Sequence, residues 1–378
     1  MIRMSARPCG FLLLLLVWVS GLGCAHRGAS APGLAEGTGP IKLDGVVIRS
    51  GPDQDTGLEI YDAEQLFHLA GEAERKGDRE RAKKLYAKLI EEFGQSRYWA
   101  NAHFNSGLLY EQDKRFDLAA PFYQKIVEDA SQDELVGTEV WVDAYFRIGV
   151  CMGKLRRWRE SLAAFQMLSG QDWLDELDRM EALVGQGIAH QALGEADLAE
   201  GSFTGVLGLY RRLLRQGYIE DEGMAAEAAF RLAEISARQY HAVVLEYPVE
   251  LLRARLEAKC GKLIEAQNRY LRAIRLGDVH TVAISGFRLG SLYQNLYDVI
   301  VGLSEPDDLT VEQKLLYQEE VRRKVIVLLK KAIRIFEKSL LVGRRLRSSG
   351  HWLDKLEQSL ESLNKLYLEE EERLEAAL

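Results

Sequence analysis

"LFHLAGEAERKGDRERAKKLY" runs from Leu66 to Tyr86. Leu66, Leu69 and Ala70 fall on one face of a helix. "KGD" at Lys76 to Asp78 is a turn signal, and Ala82 and Tyr86 then share one face of a second helix. The stretch therefore reads as a helix, a short turn and a second helix. Each helix carries one small residue amid its apolar positions, and an aromatic follows one turn beyond the second.

The pattern recurs. "FNSGLLYE" (Phe104 to Glu111), "FRIGVCMG" (Phe146 to Gly153), "FRLAEISA" (Phe230 to Ala237) and "FRLGSLYQ" (Phe287 to Gln294) echo one another. Their small residues align with others as Ala70, Gly107, Gly149, Gly187, Ala233 and Gly290, spaced 37, 42, 38, 46 and 57 residues apart. Twelve places on stands a second small residue, with an aromatic four later: Ala119 with Tyr123, Ser161 with Phe165, Ala199 with Phe203. The shorter gaps are those of helical-pair repeats.

In these residues the chain resembles the tetratricopeptide repeat (TPR) family, whose units carry small residues at positions 8, 20 and 27 and an aromatic at 24. The resemblance implies an all-α fold: a right-handed superhelical solenoid of antiparallel helix pairs, behind a disordered N-terminal tether. In such a fold position 8 of the first helix faces position 20 of the second, where the axes come closest. Four units are clear, at about 63–96, 100–133, 142–174 and 180–213. Pro121 falls early in a second helix that starts near Asp117, where it sacrifices little or no hydrogen bonding.

Beyond residue 213 the pattern loosens. Glu222 to Tyr240 has the first-helix pattern without an evident second helix. Pro248 opens a helix, and Gly261, Ala266, Tyr270 and Ala273 stand in second-helix places. "SEPDDL" breaks the chain, and Thr310 with Gln313 forms a capping box. A long helix is expected from Val311 to Val342, ending at Gly343 unless "RRLRSS" extends it, and a last one from His351 to Ala376 as a cap. The expected segments are 1–23 signal peptide, 24–57 flexible tether, 58–215 repeats, 216–302 divergent repeats, and 303–378 long helix and cap.

The first 24 residues have their own logic. Arg3 and Arg7 precede the apolar run "FLLLLLVWV", and small residues lead to Cys24. A charged start, a short apolar core and a small-residue site make a secretory signal. The Cys at its end resembles a bacterial lipobox, with Gly21 in place of the usual Leu, and implies lipidation of Cys24. Ala25 is not the Asp that retains enterobacterial lipoproteins in the inner membrane, so the expected location is the periplasmic face of the outer membrane. Ala25 to about Gly57, rich in Gly, Ala, Ser and Pro, reads as a tether. Within it "IKLDGVVIRS" has the makings of a short strand.

The net charge is −8, and −10 once the first 23 residues with their two Arg are removed. An acidic chain is poorly suited to general nucleic-acid binding. Cys151 and Cys260 sit in different repeats and read as buried free thiols. No P-loop, dinucleotide loop or paired metal-ligand His is present, so neither cofactor nor metal is expected, nor catalysis. "RRWR" (Arg156 to Arg159) and "GRRLRSSGHW" (Gly343 to Trp352) read as solvated turns, or as contacts for anionic headgroups.

The resemblance also supplies a candidate binding face. Positions 2, 5, 6, 9, 12 and 13 of a TPR first helix line the concave groove. In peptide-clamping members Asn and basic residues there grip a carboxylate or backbone. By register these are Asn101, Phe104, Asn105, Phe146, Arg147, Phe230, Arg231, Phe287 and Arg288. An Arg fork binds carboxylate at two points; in the plainer alternative each Phe packs between helices and each Arg pairs with a nearby Glu. The chain is similar to envelope TPR lipoproteins, BamD-like or belonging to gliding and pilus machines. That implies a non-enzymatic scaffold whose partners are envelope proteins or peptides. A peptidoglycan-binding module and an envelope enzyme with its site in the C-terminal half remain as alternatives.

Overall fold

In the computed structural model, residues 46–49, 59–129, 138–218, 222–276, 279–306, 309–345 and 351–376 are described. Cys24 and most of the expected tether lie outside them. The described residues fall into two compact units, divided between Ala102 and His103.

In the first unit, β1 (Val46–Arg49) pairs antiparallel with β2 (Glu59–Asp62), Val46 opposite Asp62. The expected tether thus contains one strand of a two-stranded ribbon. The chain turns at once into α1 (Ala63–Arg75), capped by the Asp62 carboxylate on the Gln65 N–H at 2.8 Å. Gly77 takes φ +77 in the turn, and Asp78 caps α2 (Arg79–Glu92). Ala70, Ala82 and Tyr86 are fully buried, and the Phe67 ring lies 5.8 Å from that of Tyr86. The hairpin is the one read from the sequence.

α3 (Trp99–Gln112) leads into the second unit. There follow α4 (Phe116–Asp129), α5 (Thr138–Lys154), α6 (Trp158–Ser169), α7 (Glu176–Leu193) and α8 (Ala196–Gln216). The turns after α3, α5 and α7 use a left-handed residue at repeat position 15: Lys114, Arg156 and Gly194. Arg156, within "RRWR", is an exposed turn residue. α4 begins at Phe116, so Pro121 lies beyond its first turn and one helical hydrogen bond is lost.

Position 8 differs in detail from expectation. A Cβ on Gly107 would lie 2.5 Å from Tyr123, on Gly149 2.6 Å from Phe165, and on Gly187 2.5 Å from Phe203. The crowding atoms belong to the aromatic ring at position 24, which lies across the glycine. Position 20 approaches the same place through its backbone contact: the Ser161 hydroxyl donates to the Gly149 carbonyl at 2.7 Å.

The C-terminal elements are longer: α9 (Gly223–Ala242), α10 (Val249–Arg275), α11 (Val279–Val301), α12 (Val311–Arg345) and α13 (His351–Ala376). α10 is the second helix that the sequence left unidentified. It packs along α9 and buries Ala266 and Tyr270. α10 runs through Gly261, where a Cβ would meet open space. Lys259 fastens the pair. Its buried ammonium donates to the Tyr240 and Val243 carbonyls, 3.0 and 2.9 Å away, at the end of α9. Both carbonyls lie at the negative end of a helix, where a cation is favoured.

α12 pairs with α11 in the same manner. A Cβ on Gly290 would sit 2.1 Å from Phe336. The helix does not stop at Gly343. It continues to Arg345, and Gly343 instead admits Leu353 of α13, 2.5 Å from where its Cβ would be. One apolar core runs from Met180 to Leu363, across the expected divisions near 215 and 302. No helix among the described residues is long and apolar enough to cross a membrane.

Candidate functional site

Positions 5 and 6 of a first helix are neighbours in sequence but about 100° apart around the axis. The structure separates them accordingly. Every Phe at position 5 turns towards the position 24 ring of its own hairpin. Centroids are 5.5 Å apart for Phe104–Tyr123, 6.3 Å for Phe146–Phe165, 6.2 Å for Phe230–Tyr270 and 6.2 Å for Phe287–Phe336. These separations are those of favourable ring pairs. Phe146 and Phe230 are buried, while Phe104 and Phe287 are half-buried. Phe287 also meets Trp352 of α13 at 5.5 Å.

The three Arg stay nearer solvent and reach back to the preceding hairpin. Arg147 Nη1 lies 3.5 Å from Glu111 Oε2, and Arg288 Nε 3.5 Å from Glu234 Oε1. Arg231 is held more firmly, by Glu227 at 2.7 Å and Gln191 at 3.3 Å. Side-chain exposure follows the same order: 38% for Arg147, 46% for Arg288 and 22% for Arg231. Asn101 is exposed in the first turn of α3, and Asn105 is half-buried one turn on.

The acids that receive these Arg have a second role. Glu111 accepts from the Tyr123 hydroxyl at 2.7 Å and Glu234 from that of Tyr270. A buried Tyr hydroxyl needs a partner. Twice, then, a connection runs from the position 24 Tyr of one hairpin through a Glu to the Arg of the next. Burial, followed by the adjacent Glu, raises both Tyr hydroxyls. Burial alone would lower the Arg147 guanidinium, but Glu111 and other acidic neighbours outweigh it and raise it.

Around Arg147 the surface is acidic. Burial, with Asp178 and Asp143 adding to it and Arg147 opposing, pushes Glu181 up to about 7. Cys151 is buried beside Glu111, and burial first and the Glu second raise its thiol, which makes it unreactive. Both Cys151 and Cys260 are free thiols.

The Arg row is interrupted at α7 for a steric reason. Position 6 there is Gly185, and a Cβ would lie 2.5 Å from the Phe165 ring. That ring is clasped between Gly149 and Gly185, so "GQG" is a packing element. Its middle residue, buried Gln186, donates to the Phe165 carbonyl at 3.1 Å. Among the described residues no cluster of His, Cys, Asp or Glu is arranged to hold a metal. Sequence reading missed Glu111, Gln191 and Glu234. Glu111 and Gln191 both stand at position 12, so the repeat register carried a signal for them; Glu234, at position 9, broke it.

Comparison with known proteins bears on the same residues. The tetratricopeptide repeat family pattern matches residues 66–96 and 143–171. No curated protein matches the chain in sequence. Among solved structures, a tetratricopeptide repeat protein from Parabacteroides merdae is similar at 12% identity and TM-score 0.40, over 80% of this chain and 98% of that one. Pseudomonas aeruginosa pilF is similar at 18% identity and TM-score 0.36, over 68% of this chain and 97% of that one. The TPR2AB domain of yeast Sti1, in a pHSP90 complex, is similar at 13% identity and TM-score 0.29, over 80% of this chain and 98% of that one. Likenesses at these levels carry no inference about partners.

Proposed function

We propose that this chain, whose residues 66–96 and 143–171 match the tetratricopeptide repeat pattern, is a lipid-anchored protein-interaction adaptor of the bacterial envelope. It holds a protein or peptide partner of an assembly or motility machine along its first-helix groove. The observation that carries the reading is the availability of Arg147 and Arg288. Each is tied by one contact of 3.5 Å, which leaves most of a five-donor fork for a partner carboxylate or backbone carbonyl. Arg231, spent on two shorter bonds, contributes less. The envelope location and the anchor rest on the layout of residues 1–24, which ends in "SGLGC".

The test is in vivo crosslinking and affinity capture from membranes with the full chain. Arg147→Ala and Arg288→Ala should each reduce capture severalfold, Arg231→Ala less, with melting temperatures nearly unchanged. Wild-type capture by the Arg147→Ala, Arg288→Ala double variant would refute the groove reading. Cys24→Ser should move the protein out of the membrane fraction, and its retention there would remove the lipid anchor.

A further inference from the structure

The groove described above faces one side of the first helices. A second surface lies between α12 and α13. There the two helices enclose an open groove of ≈ 570 Å³. Its apolar part is made by Leu340, Leu341 and Leu360, and Leu341 is 53% exposed. An apolar side chain left in water at the edge of a groove is a hallmark of an interaction surface when it belongs to a patch.

The rim decides what kind of partner fits. Glu337 on α12 and Glu357 and Glu361 on α13 border the groove. Arg344 neutralises Glu357 at 2.6 Å and closes one end. Neither Glu337 nor Glu361 takes part in an ion pair or hydrogen bond among the described residues. The apolar strip is therefore flanked by two uncompensated carboxylates, one on each wall. An acidic or neutral occupant would desolvate them without return. A helix with an apolar stripe between Lys or Arg rows would bury Leu341 and pair both.

We propose that the α12–α13 groove is a docking site for a basic amphipathic helix of a partner protein. The docked helix lies on the pair much as one helix of a repeat lies on its neighbours, with apolar anchors at i, i+3 and i+4 against Leu341 and Leu360 and cations against Glu337 and Glu361. The site is separate from the Arg147 and Arg288 groove, so each stands or falls alone.

A synthetic 18-residue amphipathic peptide of Leu and Lys, labelled for fluorescence anisotropy, tests this with the full chain. Its sequence-scrambled isomer and a Leu and Glu counterpart are the controls. The Leu and Lys helix should bind, with the other two at least tenfold weaker. The double variant Glu337→Lys, Glu361→Lys should weaken it tenfold or more, and Leu341→Asp severalfold. All three altered side chains are exposed, so melting temperatures should hold. The proposal is overturned if the double variant binds as wild type. It is equally overturned if Glu250→Lys with Glu312→Lys, an identical charge change at exposed sites elsewhere, weakens binding as much.

Discussion

The short hairpins from α4 to α8 and the long ones from α9 to α12 solve one packing problem with different lengths of chain. In α5–α6 the small residue Gly149 and its partner Ser161 are 12 residues apart. In α9–α10 the equivalent pair, Ala233 and Ala266, is 33 apart, and in α11–α12 Gly290 and Ala332 are 42 apart. Yet the contact is retained: Phe165 lies on Gly149, and Phe336 lies on Gly290. The repeat is conserved in space while its spacing along the chain is not. The turn explains the change. In the short hairpins position 15 is Lys114, Arg156 or Gly194, with positive φ, and the chain reverses there. In the long hairpins position 15 is Tyr240 or Tyr297, bulky residues disfavoured at positive φ, and the helix continues.

The comparison breaks most directly at the glycines. Gly290→Ala should destabilise by about 1–3 kcal/mol through overpacking, at least as much as Gly149→Ala, because its Cβ meets the ring more closely (2.1 against 2.6 Å). Urea unfolding of both variants measures it, and a neutral Gly290→Ala would mean that the long hairpin is organised otherwise. Next comes the fastening of α9 to α10. Lys259→Met removes the ammonium donor from the Tyr240 and Val243 carbonyls and should cost roughly 1–3 kcal/mol, seen first as faster amide exchange in α9 and α10.

A pH experiment addresses the short-hairpin side. Glu181 titrates near 7 in the fold against an ordinary 4.5, chiefly through burial. The folded state therefore binds the extra proton between those values. Stability from this residue is complete below pH 4.5 and is lost as pH rises through 7. Relative to wild type, Glu181→Gln should gain about 1–2 kcal/mol at pH 8, allowing for solvent screening, and nothing at pH 4. Denaturant midpoints at the two pH values decide it. The smallest effect sharpens the turn argument. Gly261 stands five places before Ala266, the distance at which the short hairpins place their turn, but it is helical and a Cβ there would meet open space. Gly261→Ala should stabilise by about 0.5–1 kcal/mol, whereas Gly194→Ala, at φ +82, should destabilise.

Much of this molecule was legible before any coordinates. Ala70, Gly107, Gly149, Gly187 and Gly290 announced close contacts because nothing larger fits between a helix and a ring. Thr310 and Gln313 form the capping box that their spacing announced, each side chain accepting from the other's backbone N–H. What the sequence left open depends on distance along the chain. Gly343 has the look of a helix end, and only the approach of Leu353 gives it another purpose. Phe146 and Arg147 share one sequence echo, and only packing sends the first to the core and the second to Glu111.

The sequence by itself determined that the chain forms helical hairpins in a repeated register, because periodicity, capping and small-to-aromatic spacing act over one or two helical turns. The tertiary structure alone decided which α10 residue secures α9, why no Arg stands at Gly185, and which acids hold Arg147, Arg231 and Arg288. Those partners lie in other hairpins or on the far side of a lengthened one. Their meeting depends on where whole helices end and how they stack, which no local pattern encodes.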